Sequence, residues 1–213
     1  PRIDYEQLES ITADTINTYN RIGAIGIGLP GVEYEGKIIT LDYDAFAGSS
    51  LHQQLQSRFT IPVLIENDVN AAVLGRDAET ALMGTAVYLY FPRKYPPGAG
   101  ISIKGTLIKG KGHLAGEIGR LPLDIQWRGE TADSFELFTE AAAKVILSVT
   151  AVLAPDVFFI YGEHITDRHI DCIKSICRNH LPDHVLPEFI RSKNFSSDYE
   201  QGMKQLVLSL LGV

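Results

Sequence analysis

Three polar residues, Glu66-Asn67-Asp68, stand at the end of an almost unbroken apolar run that begins at residue 61. Such a run is typical of a buried parallel strand, and open α/β sheets bind ligands in the crevice beyond the carboxyl ends of their strands. There Asp68 could take a proton from a substrate hydroxyl as a general base, while Asn67 holds a second hydroxyl. The alternative is ordinary capping by Asn67 or Asp68 of a helix predicted over residues 70–80.

A second polar group lies in the glycine-rich run Gly112-His113-Leu114-Ala115-Gly116-Glu117-Ile118-Gly119-Arg120. The glycines leave space around the Glu117 carboxylate, a pure acceptor that suits paired hydroxyl donors such as those of a sugar. The guanidinium of Arg120 suits an anion or an acidic partner. The alternatives are a glycine turn with a surface salt bridge, in which Arg120 pairs with Glu117 or Asp124, and a surface or hydrogen-bonded role for His113.

Helices and strands alternate along most of the chain. Helices are predicted over residues 5–18, 49–59, 70–80, 134–153, 167–180 and 199–211, and strands over 24–28, 37–41, 61–66, 86–91, 101–103, 157–161 and 188–192. The first strand alternates apolar residues with glycine, so one face lacks side chains and another group can approach it closely. A turn at residues 104–106 predicts a hairpin. The alternation indicates a mostly parallel α/β sheet covered by helices on both faces.

The amino-acid composition and charge exclude several classes of protein. The chain has 213 residues, 45% hydrophobic and 21% charged, which argues against disorder. Its net charge of −7 disfavours a nucleic-acid clamp. We find no apolar run near the ~20 residues that cross a bilayer and no basic-then-apolar leader, so a cytoplasmic location is expected. Cys172 and Cys177 are interpreted as thiols in a reducing compartment. Because the first residue is Pro1, we expect a processed start or a fragment.

Three motifs, taken in order, resemble the ROK family, named for repressors, unassigned reading frames and sugar kinases. They are Gly-Ile-Gly-Leu-Pro-Gly at 26–31, Glu-Asn-Asp-Val-Asn-Ala-Ala-Val-Leu-Gly at 66–75 and Leu-Ala-Gly-Glu-Ile-Gly at 114–119. Residues 153–162 look like the family's strand near the adenosine site. The resemblance implies the actin-like ATPase (ribonuclease H-like) fold with an incomplete N-terminal lobe. We divide the chain into residues 1–84, the remainder of that lobe, and residues 85–213, the C-terminal lobe.

The resemblance also implies roles for individual residues. Asp68 matches the catalytic base of the family's kinases. The sugar-binding residues it implies are Asn67, Asp68, Glu117, Gly31, His113 and Arg120, and the nucleotide or phosphate residues are Gly98, Gly100 and Gly162.

Four departures from the family pattern argue against kinase chemistry. The Asp-x-Gly-x-Thr/Ser turn is missing, and Glu163-His164 follows Gly162 where the family often has glycines. The prolines of residues 92–97 interrupt the expected phosphate loop, and each removes an N–H donor. Arg120 replaces a zinc-ligating His, and residues 121–132 contain no Cys, so we expect no zinc.

We therefore predict a sugar-binding, effector-sensing ROK-type domain without catalytic activity. It would form homodimers and belong to a regulator of carbohydrate metabolism that contacts DNA only through a domain outside this chain. No cofactor is expected. The alternative is an ATP-dependent hexose kinase, which would need ATP and Mg²⁺. A third possibility is a structural or protein-interaction domain that keeps the fold but has an empty cleft.

Overall fold

A computed structural model of the protein describes residues 3–19, 21–39, 46–80 and 83–212. The chain forms two compact units: unit 1 comprises Pro1–Arg76 and Ser197–Val213, and unit 2 comprises Asp77–Ser196. This grouping differs from the linear division at residues 84 and 85, because the final helix returns to the first unit. None of the described helices is long and apolar enough to cross a membrane.

Unit 1 contains a two-stranded parallel sheet, a small antiparallel pair and helices. Its elements are α1 (Tyr5–Thr18), β1 (Ile25–Leu29), β2 (Val32–Tyr34), β3 (Lys37–Ile39), α2 (Leu51–Phe59), β4 (Val63–Asn67) and the start of α3 (Asp68–Thr80). Strands β1 and β4 pair in parallel, from Ile25 opposite Val63 to Leu29 opposite Asn67. Strands β2 and β3 pair in antiparallel fashion. Buried Leu51 and Leu55 of α2 belong to a core cluster with Leu29 of β1 and Val63 of β4.

The last helix, α7 (Phe195–Leu210), completes unit 1 by covering the glycine face of β1. A Cβ atom on Gly26 would collide with Val207, and one on Gly28 would collide with the ring and hydroxyl of Tyr199. The predicted close approach to this strand is therefore made by a helix. The absence of two β-carbons lets that helix pack against the backbone.

Helices α3 and α7 also touch each other backbone to backbone. A Cβ atom on Gly75 would overlap the main-chain oxygen of Asp198, and one on Gly202 would overlap that of Ala71. No side chain separates the helices at this point, so both glycines are required by the packing.

Unit 2 is built on a five-stranded mixed sheet. Its elements are β5 (Thr85–Tyr90), β6 (Gly98–Ile103), β7 (Thr106–Leu107), α4 (Glu130–Asp133), α5 (Phe135–Leu153), β8 (Val157–Tyr161), α6 (Asp167–Arg178) and β9 (Glu188–Ser192). The strand order is β7-β6-β5-β8-β9. The pairs β5–β8 and β8–β9 are parallel, whereas β5–β6 and β6–β7 are antiparallel. The predicted hairpin is present as the pair β6–β7, and the pair β5–β6 is the second antiparallel pair of this sheet.

The core of unit 2 lies between the sheet and the helices α5 and α6. All five residues of β8 are buried, as expected for an interior strand that has a neighbour on each side and is covered on both faces. On one face, Phe158 and Ile160 pack in a cluster with Phe138 and Ile146 of α5. On β5, the Tyr88 hydroxyl donates a hydrogen bond to the Asp77 carboxylate.

Candidate functional site

Asn67 joins strand β4 to helix α3 and caps that helix. Its Oδ1 accepts hydrogen bonds from the backbone N–H groups of Val69 and Asn70, each at 3.0 Å. Its Nδ2 donates to the carbonyl oxygen of Gly31 at 3.2 Å. The capping alternative is thus confirmed for Asn67. An amide has two N–H donors, and the bond to Gly31 uses one of them.

Glu66 stabilises the junction between β4 and α3 with two hydrogen bonds. The residue is 7% exposed, and its Oε1 accepts hydrogen bonds from the backbone N–H of Asn67 at 3.0 Å and from Nδ2 of Asn70 at 3.2 Å. One donor is at the end of β4 and the other is in the first turn of α3. Glu66 therefore fixes the turn that carries Asn67 and Asp68.

Asp68 opens helix α3 at the carboxyl end of β4. Its Oδ1 accepts the backbone N–H of Val69 at 2.9 Å. Burial raises the pKa of the Asp68 carboxyl to about 6, although the backbone N–H groups of Val69 and of Asp68 itself act in the opposite direction. A carboxyl with a pKa near neutrality can hold or release a proton at working pH, as a general base must.

Glu117 belongs to unit 2, where the glycine-rich segment packs on the start of β6. The N–H of Ala99 donates to the carbonyl oxygen of Gly116 at 2.7 Å, and the N–H of Gly119 donates to that of Pro97 at 3.1 Å. Gly116 has a φ of +96°, and a Cβ there would collide with the carbonyl oxygen of Ala99. These contacts fix the backbone on both sides of half-buried Glu117.

His113 and Arg120 lie in two short 3-10 helices beside Glu117, Lys111–His113 and Ile118–Arg120. His113 is half-buried and has a φ of +57°, in the left-handed region. Arg120 is exposed, and it takes part in none of the ion pairs found in the described ranges, so the pairing with Glu117 or Asp124 is not observed there.

The predicted phosphate residues Gly98 and Gly100 lie within strand β6, opposite Tyr90 and Tyr88 of β5. The N–H of Ala99 between them is already bonded to Gly116. A phosphate nest needs successive N–H groups pointing at one anion. The segment 92–100 has few N–H groups for such a nest, because its prolines supply no N–H and the N–H of Ala99 is already bonded.

Gly162 follows β8, and protein atoms fill the space beside it. A Cβ atom there would lie 2.8 Å from Cδ1 of Ile165 and 3.0 Å from the carbonyl oxygen of Phe91. Its neighbour His164 packs edge-on against Phe138, with ring centroids 4.8 Å apart. Burial first, and then the positive charge of Arg93, lowers the pKa of His164. This glycine serves packing, and the structure shows no cradle for adenine around it in the described part of the chain.

The predicted site residues fall into one group in each unit. Gly31, Asn67 and Asp68 are in unit 1, and the predicted residues from Gly98 to Gly162 are in unit 2. In unit 1, Asn67 bonds directly to Gly31. Sequence reasoning missed Tyr199, which lies on the glycine face of β1 near Asp68. The missing side chains of β1 indicated a close neighbour but did not identify it.

No cluster of three or more His, Cys, Asp or Glu side chains suited to a metal ion occurs among the described residues. The zinc of the family pattern would need Cys ligands, which residues 121–132 lack, and a His where Arg120 stands. The residues present therefore do not fit that metal.

Comparison with protein families and curated proteins gives a consistent result. The model of the ROK family matches residues 4–130. An N-acetyl-D-glucosamine kinase of Photobacterium profundum is 32% identical over 144 residues, which cover 63% of this chain and 48% of the kinase. The chain spans about half the length of the curated relatives it matches.

Solved structures with a similar fold include an enzyme and a regulator. A ROK family glucokinase from Streptomyces griseus, in complex with glucose and AMPPNP, superposes with a TM-score of 0.74 at 15% identity, covering 98% of this chain and 89% of that one. A ROK family transcriptional regulator, a homologue of the E. coli MLC protein, gives a TM-score of 0.74 at 17% identity, and the match covers 96% of this chain and 69% of the regulator. At these identities the similarity shows the fold alone.

Proposed function

Since the chain belongs to the ROK family and has the actin-like ATPase fold, we propose that it is a sugar-binding domain in which Asp68 accepts a sugar hydroxyl. The position of Asp68 carries this proposal: it is half-buried at the carboxyl end of β4, on a turn held by Glu66 and Asn67. Ionised carboxylates act only as acceptors, and hydroxyl groups are their natural donors.

The neighbouring residues support binding of a polyhydroxyl ligand. The second amide N–H of Asn67 could donate to a sugar oxygen, with Gly31 fixing the amide's orientation. In unit 2, taken by itself, we assign Glu117 as a hydroxyl acceptor, with His113 and Arg120 near it in the sequence. N-acetyl-D-glucosamine is the first ligand to test, because a 32% identical relative is named as a kinase of that sugar.

We further propose that this domain senses its sugar without phosphorylating it. The occupied N–H of Ala99, the prolines of 92–97 and the filled space at Gly162 all support this view. The domain would then be a homodimeric, cytoplasmic part of a regulator of carbohydrate metabolism, with contact to DNA made by another domain.

A second candidate function is an ATP-dependent sugar kinase. Two observations favour it: the pKa of Asp68 near 6, which suits a general base, and the kinase names of the curated relatives. The segment around Ala99 argues against it, since it supplies no nest for a triphosphate.

Calorimetric titration separates these functions. N-acetyl-D-glucosamine, glucose and N-acetylmannosamine are titrated into the parent protein with and without Mg-ATP. We expect binding without ATP that Asp68→Asn changes within a few fold, because the amide keeps an acceptor oxygen. Asp68→Ala should weaken it about 10- to 100-fold, since a hydrogen bond to a charged group contributes about 1.5–3 kcal/mol. The matched control is Asp183→Ala, at a side chain that is 91% exposed.

Two results would contradict the proposal. Absence of binding of any of these sugars to the parent protein would leave Asp68 without the proposed ligand. Turnover with Mg-ATP that Asp68→Asn lowers by about 10²- to 10⁴-fold, the usual contribution of a positioned base, would instead establish the kinase.

A further inference from the structure

Tyr199 of α7 packs against β1 at Gly28, where only a residue without a β-carbon leaves room for the tyrosine ring. A Cβ atom on Gly28 would overlap Cε2 and the hydroxyl of the tyrosine ring. A backbone hydrogen bond also links Gly28 to the phenol of Tyr199. The Cε2, Cζ and hydroxyl atoms of Tyr199 therefore pack against the strand at a position without a side chain, and the Gly28 backbone is a hydrogen-bond partner of the hydroxyl.

This position brings Tyr199 close to Asp68. Gly28 pairs with Glu66 of β4, two residues before Asp68, and Leu29 pairs with Asn67. The pKa of the Tyr199 phenol is raised, first by burial and then by the negative charge of Asp68, which places the two groups within electrostatic range of each other.

We propose that Tyr199 is a positioning residue for Asp68: its aromatic ring keeps water away from the carboxyl, and Gly28 provides the space that admits the ring. The inference rests on the proposed function, in which Asp68 meets the sugar hydroxyl. It goes further by assigning a role to a residue outside the family motifs and to the second glycine of β1.

The ring, rather than the phenolic hydroxyl, carries this role. A neutral phenol adds no charge beside Asp68, and its hydroxyl is engaged with the Gly28 backbone. Burial is the largest cause of the raised Asp68 pKa, and apolar atoms that exclude water act in that way on a carboxyl. The other acidic groups on the packed elements, Glu66 on β4 and Asp198 and Glu200 on α7, remain in place when only residue 199 is changed.

The experiment compares Tyr199→Phe with Tyr199→Ala in the full chain. The titration of the Asp68 carboxyl is followed by ¹³C NMR without sugar, with Asp68→Asn used to assign the signal. We expect the Asp68 carboxyl to have a pKa near 6 in the parent protein. Tyr199→Phe should change this pKa by only a few tenths of a unit, whereas Tyr199→Ala should lower it by about one unit or more toward 3.8. Tyr19→Ala, at an exposed tyrosine of unit 1, is the matched control and should leave the titration unchanged.

A second measurement separates this inference from the proposed function. If Tyr199→Ala does not fold, Tyr199→Leu replaces it, and partial lowering of the Asp68 pKa is expected because leucine covers less of the carboxyl. A shifted titration in a protein that binds no sugar would support the inference and reject the function. An Asp68 titration that is the same in parent, Phe and folded Ala or Leu variants, or is altered equally by Phe and Ala, would overturn the inference.

Discussion

Replacing Asp68 by asparagine should stabilise the protein, and only at the pH values where Asp68 is ionised. Asparagine keeps an oxygen that can accept the N–H of Val69, which Asp68 accepts at 2.9 Å. It removes the cost of a buried negative charge. The start of a helix favours a negative charge, but in the native protein burial outweighs this effect and raises the pKa of Asp68 to about 6.

The sign and size of the effect follow from proton linkage. Well below pH 3.8 the carboxyl is protonated in both the folded and the unfolded chain, so it contributes no penalty. Between pH 3.8 and about 6 the unfolded chain loses the proton first, and the free energy of unfolding falls as the pH rises. Well above pH 6 the penalty is complete, at about 3 kcal/mol for a shift of about two pKa units.

Urea unfolding of the parent protein and Asp68→Asn at pH 4, 5, 6, 7 and 8 tests this reasoning. Circular dichroism is the suitable probe, because the single tryptophan, Trp127, lies in unit 2 and Asp68 in unit 1. The variant should gain up to about 3 kcal/mol at pH 8 and only about 0.5 kcal/mol at pH 4, while Asp183→Asn shows no such trend. A difference that does not depend on pH, or a loss of stability at pH 8, would refute the raised pKa.

Two further predictions concern packing. Gly75→Ala should destabilise the protein by about 1–3 kcal/mol or more in thermal or urea unfolding, because the new methyl group meets the main-chain oxygen of Asp198, whereas Gly23→Ala, whose methyl group would meet only the side chain of Leu211, should cost less. A smaller loss at residue 75 than at residue 23 would contradict the observed helix crossing. Ser102→Ala should cost about 1.5–3 kcal/mol in the same assay, because it removes a hydroxyl donor to the Asp77 carboxylate, and Ser148→Ala on the exposed side of α5 is its control.

The regular elements could be predicted because their signals are local. Strands β8 and β9 have the predicted bounds, since an apolar run between turn residues marks both ends. Helix α3 begins at Asp68 rather than at residue 70, because Asn67 is the cap. The strand predicted over residues 37–41 is observed as β3, Lys37–Ile39, and its last two residues lie outside the described part of the chain.

The mixed sheet and the return of α7 to unit 1 were harder to predict because they depend on contacts distant in sequence. The segment 98–100 contains two glycines and suggests a loop, yet it pairs along β5 as the start of β6. The place of α7 depends on an exact fit between its side chains and the glycines of β1. A single sequence shows each partner of that fit but not their pairing.

For the same reason, the candidate site could be predicted at Asp68 better than at the glycines. A glycine marks a place where something approaches the backbone closely, but the sequence does not say what approaches. A phenol fills that space at Gly28, a carbonyl oxygen at Gly116 and an isoleucine at Gly162. A loop that holds phosphate must leave such space open and direct N–H groups into it. The bonding partners of the N–H groups therefore distinguish a binding loop from a packed one, and in this protein they favour the half-buried carboxyl of Asp68 over the glycines as the functional group.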